Sequence, residues 1–94
     1  ADGGELGDWV DAARGRWRGL RRERLAEAAS RLEGAGRLAP ALELAEQLVL
    51  DDPTAEHAHR RVMRLHYLRG DRAAALAAYQ RCSTTLRREL KALP

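Results

Sequence analysis

Three histidines and one cysteine are the residues of this chain that could ligate a metal: His57, His59, His66 and Cys82. On a helix, His59 and His66 would lie about 10 Å apart along the axis, too far to share an ion whose ligand bonds are near 2 Å. His57 and His59 would point to different sides. Packing in the core or at its rim is therefore the better interpretation, and we predict no metal site.

Catalytic patterns are equally scarce in this sequence. It contains no convincing Ser-His-Asp set and no glycine loop of the kind that cradles phosphate, and its carboxylates form no isolated pair. We therefore expect a protein that is not an enzyme and needs no cofactor.

Two arginines four residues apart, Arg60 and Arg64, form the sharpest binding motif. Residues at this spacing are neighbours on one face of a helix. Two adjacent guanidiniums suit a carboxylate or a phosphate, because each can donate two parallel hydrogen bonds. The alternative is that they pair with Glu56 or with acidic residues of adjoining helices.

A second basic stretch lies nearer the N-terminus, where Glu23 is the only acidic residue among six arginines. The six are Arg14, Arg16, Arg18, Arg21, Arg22 and Arg24. Because successive residues turn by about 100° on a helix, only Arg14, Arg18, Arg21 and Arg22 share a side. This side could contact a DNA backbone in a salt-dependent manner, or it could be a solvated helix face.

Composition predicts helices to position these side chains. The apolar residues of this 94-residue chain are mostly Ala and Leu, with no Phe or Ile, and Ala, Leu, Arg and Glu favour helices over strands. The length allows one domain. A single Cys, no apolar run long enough to span a membrane and no signal-peptide pattern lead us to expect a cytoplasmic protein without membrane contact.

The first element predicted is a long N-terminal helix. Residues 1–7 are rich in Gly and indicate a flexible linker, after which Asp8 is suited to cap a helix that reaches about Glu33. A break near Gly19 is the alternative, because glycine destabilises a helix. Trp9 and Trp17 share one side of this helix, and we expect at least Trp17 to be a buried anchor. If exposed, either would mark a contact surface for a neighbouring domain or a second copy.

Three further helices are predicted between turn residues. Gly34-Ala35-Gly36 ends the first helix, and Pro40 lies in the first turn of the second, which stops at Asp51-Asp52-Pro53. Thr54 is expected to cap the third helix, and a fourth is expected from about Arg72 toward Leu90. The residues expected to face inward are Leu42, Ala45, Leu48 and Val49, then Ala58, Val62, Leu65 and His66 or Tyr67, then Leu76, Tyr79, Leu86 and Leu90.

An internal repeat relates the two halves of the chain. Gly36, Ala41 and Leu42 recur as Gly70, Ala75 and Leu76 at an offset of 34 residues, which is the period of tetratricopeptide repeats. We therefore expect an all-α, tetratricopeptide-like right-handed superhelix, an α-solenoid, of two helical hairpins. The first hairpin opens with the long N-terminal helix.

The sequence also resembles a known family, the bacterial transcriptional activator domain of SARP-type and AfsR-type regulators. The resemblance covers nearly the whole chain after Gly7. It rests on Asp8-Trp9-Val10 with Arg14 and Arg16, on residues 58–65, on residues 70–76, on Tyr79-Gln80-Arg81, and on Leu86-Arg87-Arg88-Glu89-Leu90.

The resemblance implies a regulatory module that acts through protein contacts. Residues 8–94 would be a tetratricopeptide-like helical domain from a larger regulator, with DNA bound only by a separate domain absent here. Its partners would be other domains of that regulator or RNA polymerase. The resemblance places a partner-binding groove along Glu23, Ala26, Ser30, His57, Arg60, Arg64 and Tyr67. Self-association as a homodimer and accessory contact with nucleic acid are the alternatives.

Overall fold

A computed structural model describes residues 4–91, in which the chain forms four α-helices and no strand. They are α1 (Gly4–Gly34), α2 (Leu38–Asp51), α3 (Glu56–Leu68) and α4 (Arg72–Lys91). The all-α prediction is confirmed. Helix α1 begins four residues before Asp8, and residues 1–3 of the expected linker lie outside the described part of the chain. It runs through Gly15 and Gly19 without a break.

Each helix packs against the next along the chain, α1 on α2, α2 on α3, and α3 on α4. The core lies mainly between α2, α3 and α4 and joins Leu42, Val62 and Leu65 to several alanines. Half of the ten buried apolar residues in the described chain are alanines, at positions 29, 41, 45, 58 and 78. Alanine side chains are small, so the helices approach one another closely.

The turns after α1 and α3 have the same hydrogen bonds at an offset of 34 residues. Gly36 and Gly70 both have a positive φ, of 77° and 81°. Arg37 N–H donates to the Leu32 carbonyl at 2.8 Å, and Asp71 N–H donates to the His66 carbonyl at 2.9 Å. This pattern closes a helix end with glycine in the left-handed conformation. The repeat in the sequence therefore corresponds to a repeat of local structure.

The beginnings of the helices differ more than their ends. Thr54 does not cap α3, because its hydroxyl hydrogen-bonds the Asp52 carboxylate and Ala55 occupies the N-cap position without a side-chain bond. The Asp71 carboxylate accepts a 3.0 Å hydrogen bond from Ala74 N–H and so caps α4. Arg37, the equivalent residue before α2, makes no side-chain cap bond.

The inward faces of α2 and α3 agree largely with the sequence, whereas that of α4 was predicted wrongly at three of its four positions, and only Leu86 is partly buried. Leu76, Tyr79 and Leu90 are more than half exposed, and Ala78 and Cys82 face α3 instead. In α3 the buried histidine is His59, while His66 is half-buried and Tyr67 is exposed. Helix α4 packs mainly on α3, and small side chains permit the closer contact.

The prediction that Trp17 is buried is also wrong, since Trp9 and Trp17 are each 65% exposed. Arg21 pairs with Asp51, the last residue of α2, so the earlier turns of α1 project beyond the end of α2. The tryptophans lie on this projecting part. In the described chain, no helix combines the length and apolar character that crossing a membrane requires.

Candidate functional site

Three residues predicted to line a groove do share one open hollow between α1 and α3. Glu23 and Ala26 of α1 and His57 of α3 line this space of about 290 Å³, here called the α1–α3 hollow. The remaining lining residues are Gly19, Arg22, Leu48, Asp52 and Ala55. Charged, imidazole and apolar groups converge there, so the hollow can accept a side chain of mixed polarity. Enclosed ligand pockets are usually larger, roughly 300–1,000 Å³.

An ion-pair cluster centred on Glu33 joins α1 to α3 farther along the same surface. The Glu33 carboxylate accepts hydrogen bonds from Arg64 Nε at 2.6 Å, from Arg64 Nη2 at 2.9 Å and from Arg61 Nη1 at 2.9 Å. The side chains of Glu33 and Arg61 are each only 18% exposed. Partly buried ion pairs are screened less by salt than surface pairs.

The two arginines change the acidity of Glu33. Hydrogen bonds from Arg64, together with the positive charges of Arg64 and Arg61, hold the pKa of the Glu33 carboxyl below its usual value of 4.5. The hydrogen bond to Glu33 likewise raises the pKa of Arg64. The cluster therefore keeps its charges at neutral pH.

Arg60 and Arg64 each form an ion pair with a carboxylate of this chain. This is the alternative to anion binding that their spacing left open. Arg60 donates to Glu56 at 2.6 Å within α3, in an exposed i,i+4 pair. Arg64 pairs with Glu33 of α1. Neither guanidinium is therefore a free anion receptor. Arg60 remains the more available of the two, because its side chain is 67% exposed and its partner is on its own helix.

The last two predicted groove residues lie outside the α1–α3 hollow. Ser30 is exposed on α1, one turn beyond Ala26, and Tyr67 is exposed near the end of α3. The guanidinium of Arg72 lies 5.9 Å from the centre of the Tyr67 ring, within reach of a cation–π contact. Glu33 and Arg61, which connect the two helices, were not predicted as site residues. Their positions in the sequence give no signal, because helix α2 and two turns lie between them.

The basic side predicted for α1 is partly assembled. Arg18, Arg21 and Arg22 line one hollow with Leu50 and Asp51, and Arg14 lies one turn before them on α1. The ion pair between Arg21 and Asp51 reduces the local positive charge. Contact with nucleic acid through this side remains a prediction.

The histidines and the cysteine lie apart from one another. His59 is buried and donates a hydrogen bond from Nε2 to the Pro53 carbonyl at 2.7 Å, which holds the start of α3 against the preceding turn. Nδ1 of His66 is buried without a hydrogen-bond partner in the described chain. Burial raises the pKa of the Cys82 thiol, with a smaller effect from Glu56. Across residues 4–91, no three His, Cys, Asp or Glu side chains converge as a metal site.

Another hollow, of about 280 Å³, opens on a different surface, between α2, α3 and α4. Its lining includes Val49, Leu50, Val62, Ala78, Arg81 and Thr85, and it contains none of the predicted groove residues. Glu46 and His59 complete its lining. The α1–α3 hollow remains the better candidate, because it lies on the surface that the Glu33 cluster also joins.

Comparison with known proteins identifies one related family. The family model described as "Bacterial transcriptional activator domain" matches residues 1–94, the whole chain. No curated protein and no solved structure matched the chain.

Proposed function

Because the chain belongs to the bacterial transcriptional activator domain family, we propose that it is a cytoplasmic protein-interaction module of a bacterial transcriptional activator. The family is regulatory. Within it, this chain binds a segment of another protein along α1 and α3, in the α1–α3 hollow and beside Arg60.

The architecture behind this proposal is a tetratricopeptide-like right-handed superhelix of two hairpins, α1–α2 and α3–α4. Its support is the identical pair of turns at an offset of 34 residues and the packing of each helix on the next. In such arrays the first helices of successive hairpins line a common concave surface. Here those helices are α1 and α3.

The observation that favours this surface is its continuity across both hairpins. At one end Glu23, Ala26 and His57 share a hollow, and at the other end Glu33 pairs with Arg61 and Arg64. The cluster fixes the spacing of α1 and α3, so the surface is formed before a partner arrives. Such preorganisation lowers the entropic cost of binding.

The charge of this surface favours a protein partner over nucleic acid. Arginines and carboxylates occur on it in equal number: Arg22, Arg60, Arg61 and Arg64 with Glu23, Glu33, Asp52 and Glu56. A phosphate backbone is bound by an excess of positive charge. RNA polymerase is the partner we propose, with a neighbouring domain of the same regulator as the alternative.

Immobilised RNA polymerase holoenzyme from the bacterium that encodes this chain provides the test. We expect the double variant Glu23→Ala with His57→Ala to bind at least tenfold more weakly than the wild-type chain, because truncation of central contact residues commonly costs more than 1 kcal/mol. Both side chains are exposed, so the fold and its melting temperature should not change. Arg64 is unsuitable for this test because its loss would also remove an ion pair between α1 and α3.

The matched control is Glu43→Ala with Gln47→Ala, two exposed residues on the face of α2 opposite its buried side. It should bind as tightly as the wild-type chain. Equal weakening in both double variants would show that the contact is not made at the hollow. A dissociation constant of about 100 µM corresponds to a binding free energy of only roughly 5 kcal/mol. If the wild-type chain does not bind at this concentration, RNA polymerase is excluded as the partner.

A further inference from the structure

Helix α1 carries an exposed apolar face on its first turns, here called the α1 stripe. It consists of Leu6, Trp9, Val10, Ala13, Trp17 and Leu20. Positions 6, 10, 13, 17 and 20 alternate steps of four and three, which is the spacing of a two-helix seam. Leu6 is 67% exposed and both tryptophans are 65% exposed.

No other helix of the described chain covers the α1 stripe. The side of α1 that packs on α2 includes buried Ala29, and at 100° per residue this side points nearly opposite to the stripe. From Glu5 to Trp17, no side chain makes a hydrogen bond or ion pair with another described helix. The stripe is thus a second apolar face, independent of the proposed partner-binding surface.

Leaving this segment unpartnered is unfavourable for two physical reasons. A helical segment without tertiary packing is only marginally stable in water, and Gly15 weakens this one further. The two exposed tryptophans also hold much apolar surface, since a buried aromatic side chain removes roughly 150–250 Å² from water. A second helix laid along the stripe would remove both costs.

Charge along α1 indicates which helix fits. Residues 4–12 contain Glu5, Asp8 and Asp11 and no basic residue, whereas residues 13–24 contain six arginines and one acid. Two parallel copies would bring like charges together. Two antiparallel copies would bring the acidic turns of each beside the arginines of the other.

One antiparallel register also satisfies the side-chain sizes. It places Leu6 of one copy opposite Trp17 of the second copy, and Val10 opposite the smaller Ala13. Trp9 then faces Arg16 of the second copy, a pair suited to a cation–π contact. The rest of each molecule lies at opposite ends of the seam, so the two bodies do not collide.

We propose that the α1 stripe is a self-association surface, on which a second copy of this chain lies antiparallel to form a closed dimer with two-fold symmetry. The contact is short, with a buried area of roughly 1,000 Å² that falls below the usual range for stable complexes. We therefore expect a dissociation constant on the order of micromolar. This inference does not depend on the proposed binding of RNA polymerase.

Sedimentation equilibrium of the whole chain over a concentration series tests the proposal. The wild-type chain should pass from monomer to dimer and no further. Trp9→Ala with Trp17→Ala should weaken dimerisation at least tenfold, whereas the matched control Leu76→Ala with Tyr79→Ala, on the exposed face of α4, should dimerise normally. A wild-type chain that stays monomeric at about 100 µM overturns the proposal. The proposal is also overturned if the wild-type chain forms assemblies larger than a dimer and both double variants associate more weakly. That result would indicate head-to-tail contact between α1 of one copy and α4 of the next.

Orientation is tested by the charge-reversed variant Glu5→Lys, Asp8→Lys and Asp11→Lys. In the antiparallel dimer its lysines meet the arginines of a second copy, so both its homodimer and its mixed dimer with the wild-type chain should be weaker than the wild-type homodimer. A mixed dimer tighter than the wild-type homodimer would indicate parallel helices and contradict the proposed geometry.

Discussion

At the scale of single residues, Glu33 connects more of the molecule than any other described side chain with an ion pair. It belongs to α1 and neutralises two arginines of α3, although α1 packs chiefly against α2. Removal of the carboxylate leaves the partly buried charges of the two arginines without their partner. The cost should therefore exceed that of an ordinary surface ion pair.

We predict that Glu33→Gln lowers the free energy of unfolding by about 1–2 kcal/mol at pH 7, as expected for hydrogen bonds to a charged group that are partly exposed. Urea denaturation monitored by circular dichroism measures this change. The control is Glu56→Gln, which removes the exposed i,i+4 partner of Arg60 and should cost no more than about 0.5 kcal/mol.

The same cluster gives stability a defined dependence on pH. Because the folded-state pKa of Glu33 is lowered, its contribution is fully present above its unfolded value, near 4.5, and is lost as pH falls through the lower folded value. The difference between wild type and Glu33→Gln should therefore shrink below pH 4.5. A difference of equal size at pH 7 and pH 3 would contradict this account.

At the scale of elements, the two equivalent turns differ in one useful respect. Both close a helix with a left-handed glycine, but only Asp71 caps the helix that follows, and Arg37 occupies the same position without a cap bond. The start of α4, which has a side-chain cap, can therefore be compared with the start of α2, which has none.

We predict that Asp71→Ala destabilises the protein by about 1 kcal/mol, the usual cost of losing an N-cap side chain. Arg37→Ala, at the position 34 residues earlier, should change stability by less than about 0.5 kcal/mol, as surface substitutions generally do. Thermal unfolding of both variants beside the wild-type chain measures the difference. Equal losses in the two variants would indicate that the Asp71 carboxylate contributes nothing as a cap.

The helix ends were more predictable than the helix faces. Gly36 and Gly70 predict their turns from residue type alone. The buried side of α2 follows from the regular spacing of its apolar residues. The faces of α1 and α4 required knowledge of what lies beside them. Trp17 and Tyr79 have the spacing of core residues, yet no described helix packs over either of them.

The candidate surface could likewise be predicted only in part from the sequence. Glu23, Ala26 and His57 were assigned together because repeat proteins align the first helices of their hairpins, and they do line one hollow. Glu33 and Arg61 could not be paired from the sequence, because their contact depends on how far α3 is shifted along α1. Only tertiary packing determines that shift.

At the scale of the whole molecule, the chain is more extended than a compact domain. Its Cα radius of gyration is 16.3 Å, against roughly 12 Å expected for a compact chain of this length. Its principal extents of 57 × 32 × 13 Å describe a thin slab with one long dimension. Much of this length comes from the projecting turns of α1.

We predict a gradient of hydrogen exchange along this long dimension. In the Trp9→Ala with Trp17→Ala variant, amides of residues 5–17 should exchange at least tenfold faster than those of α2 and α3, because local opening costs less where few apolar contacts must be broken. Mass spectrometry of exchanged peptides measures this ratio. Uniform protection from α1 to α4 would show that the projecting turns unfold together with the core.

The alanines between the helices determine which inherited changes this chain can tolerate. In most cores, mutations that shorten a side chain do the damage by opening a void. An alanine at a helix contact has almost no side chain to shorten. Replacing it with a larger residue forces the two helices apart. We therefore expect the buried alanines to accept few substitutions. Steric crowding by larger side chains should limit these positions more than loss of buried apolar volume does.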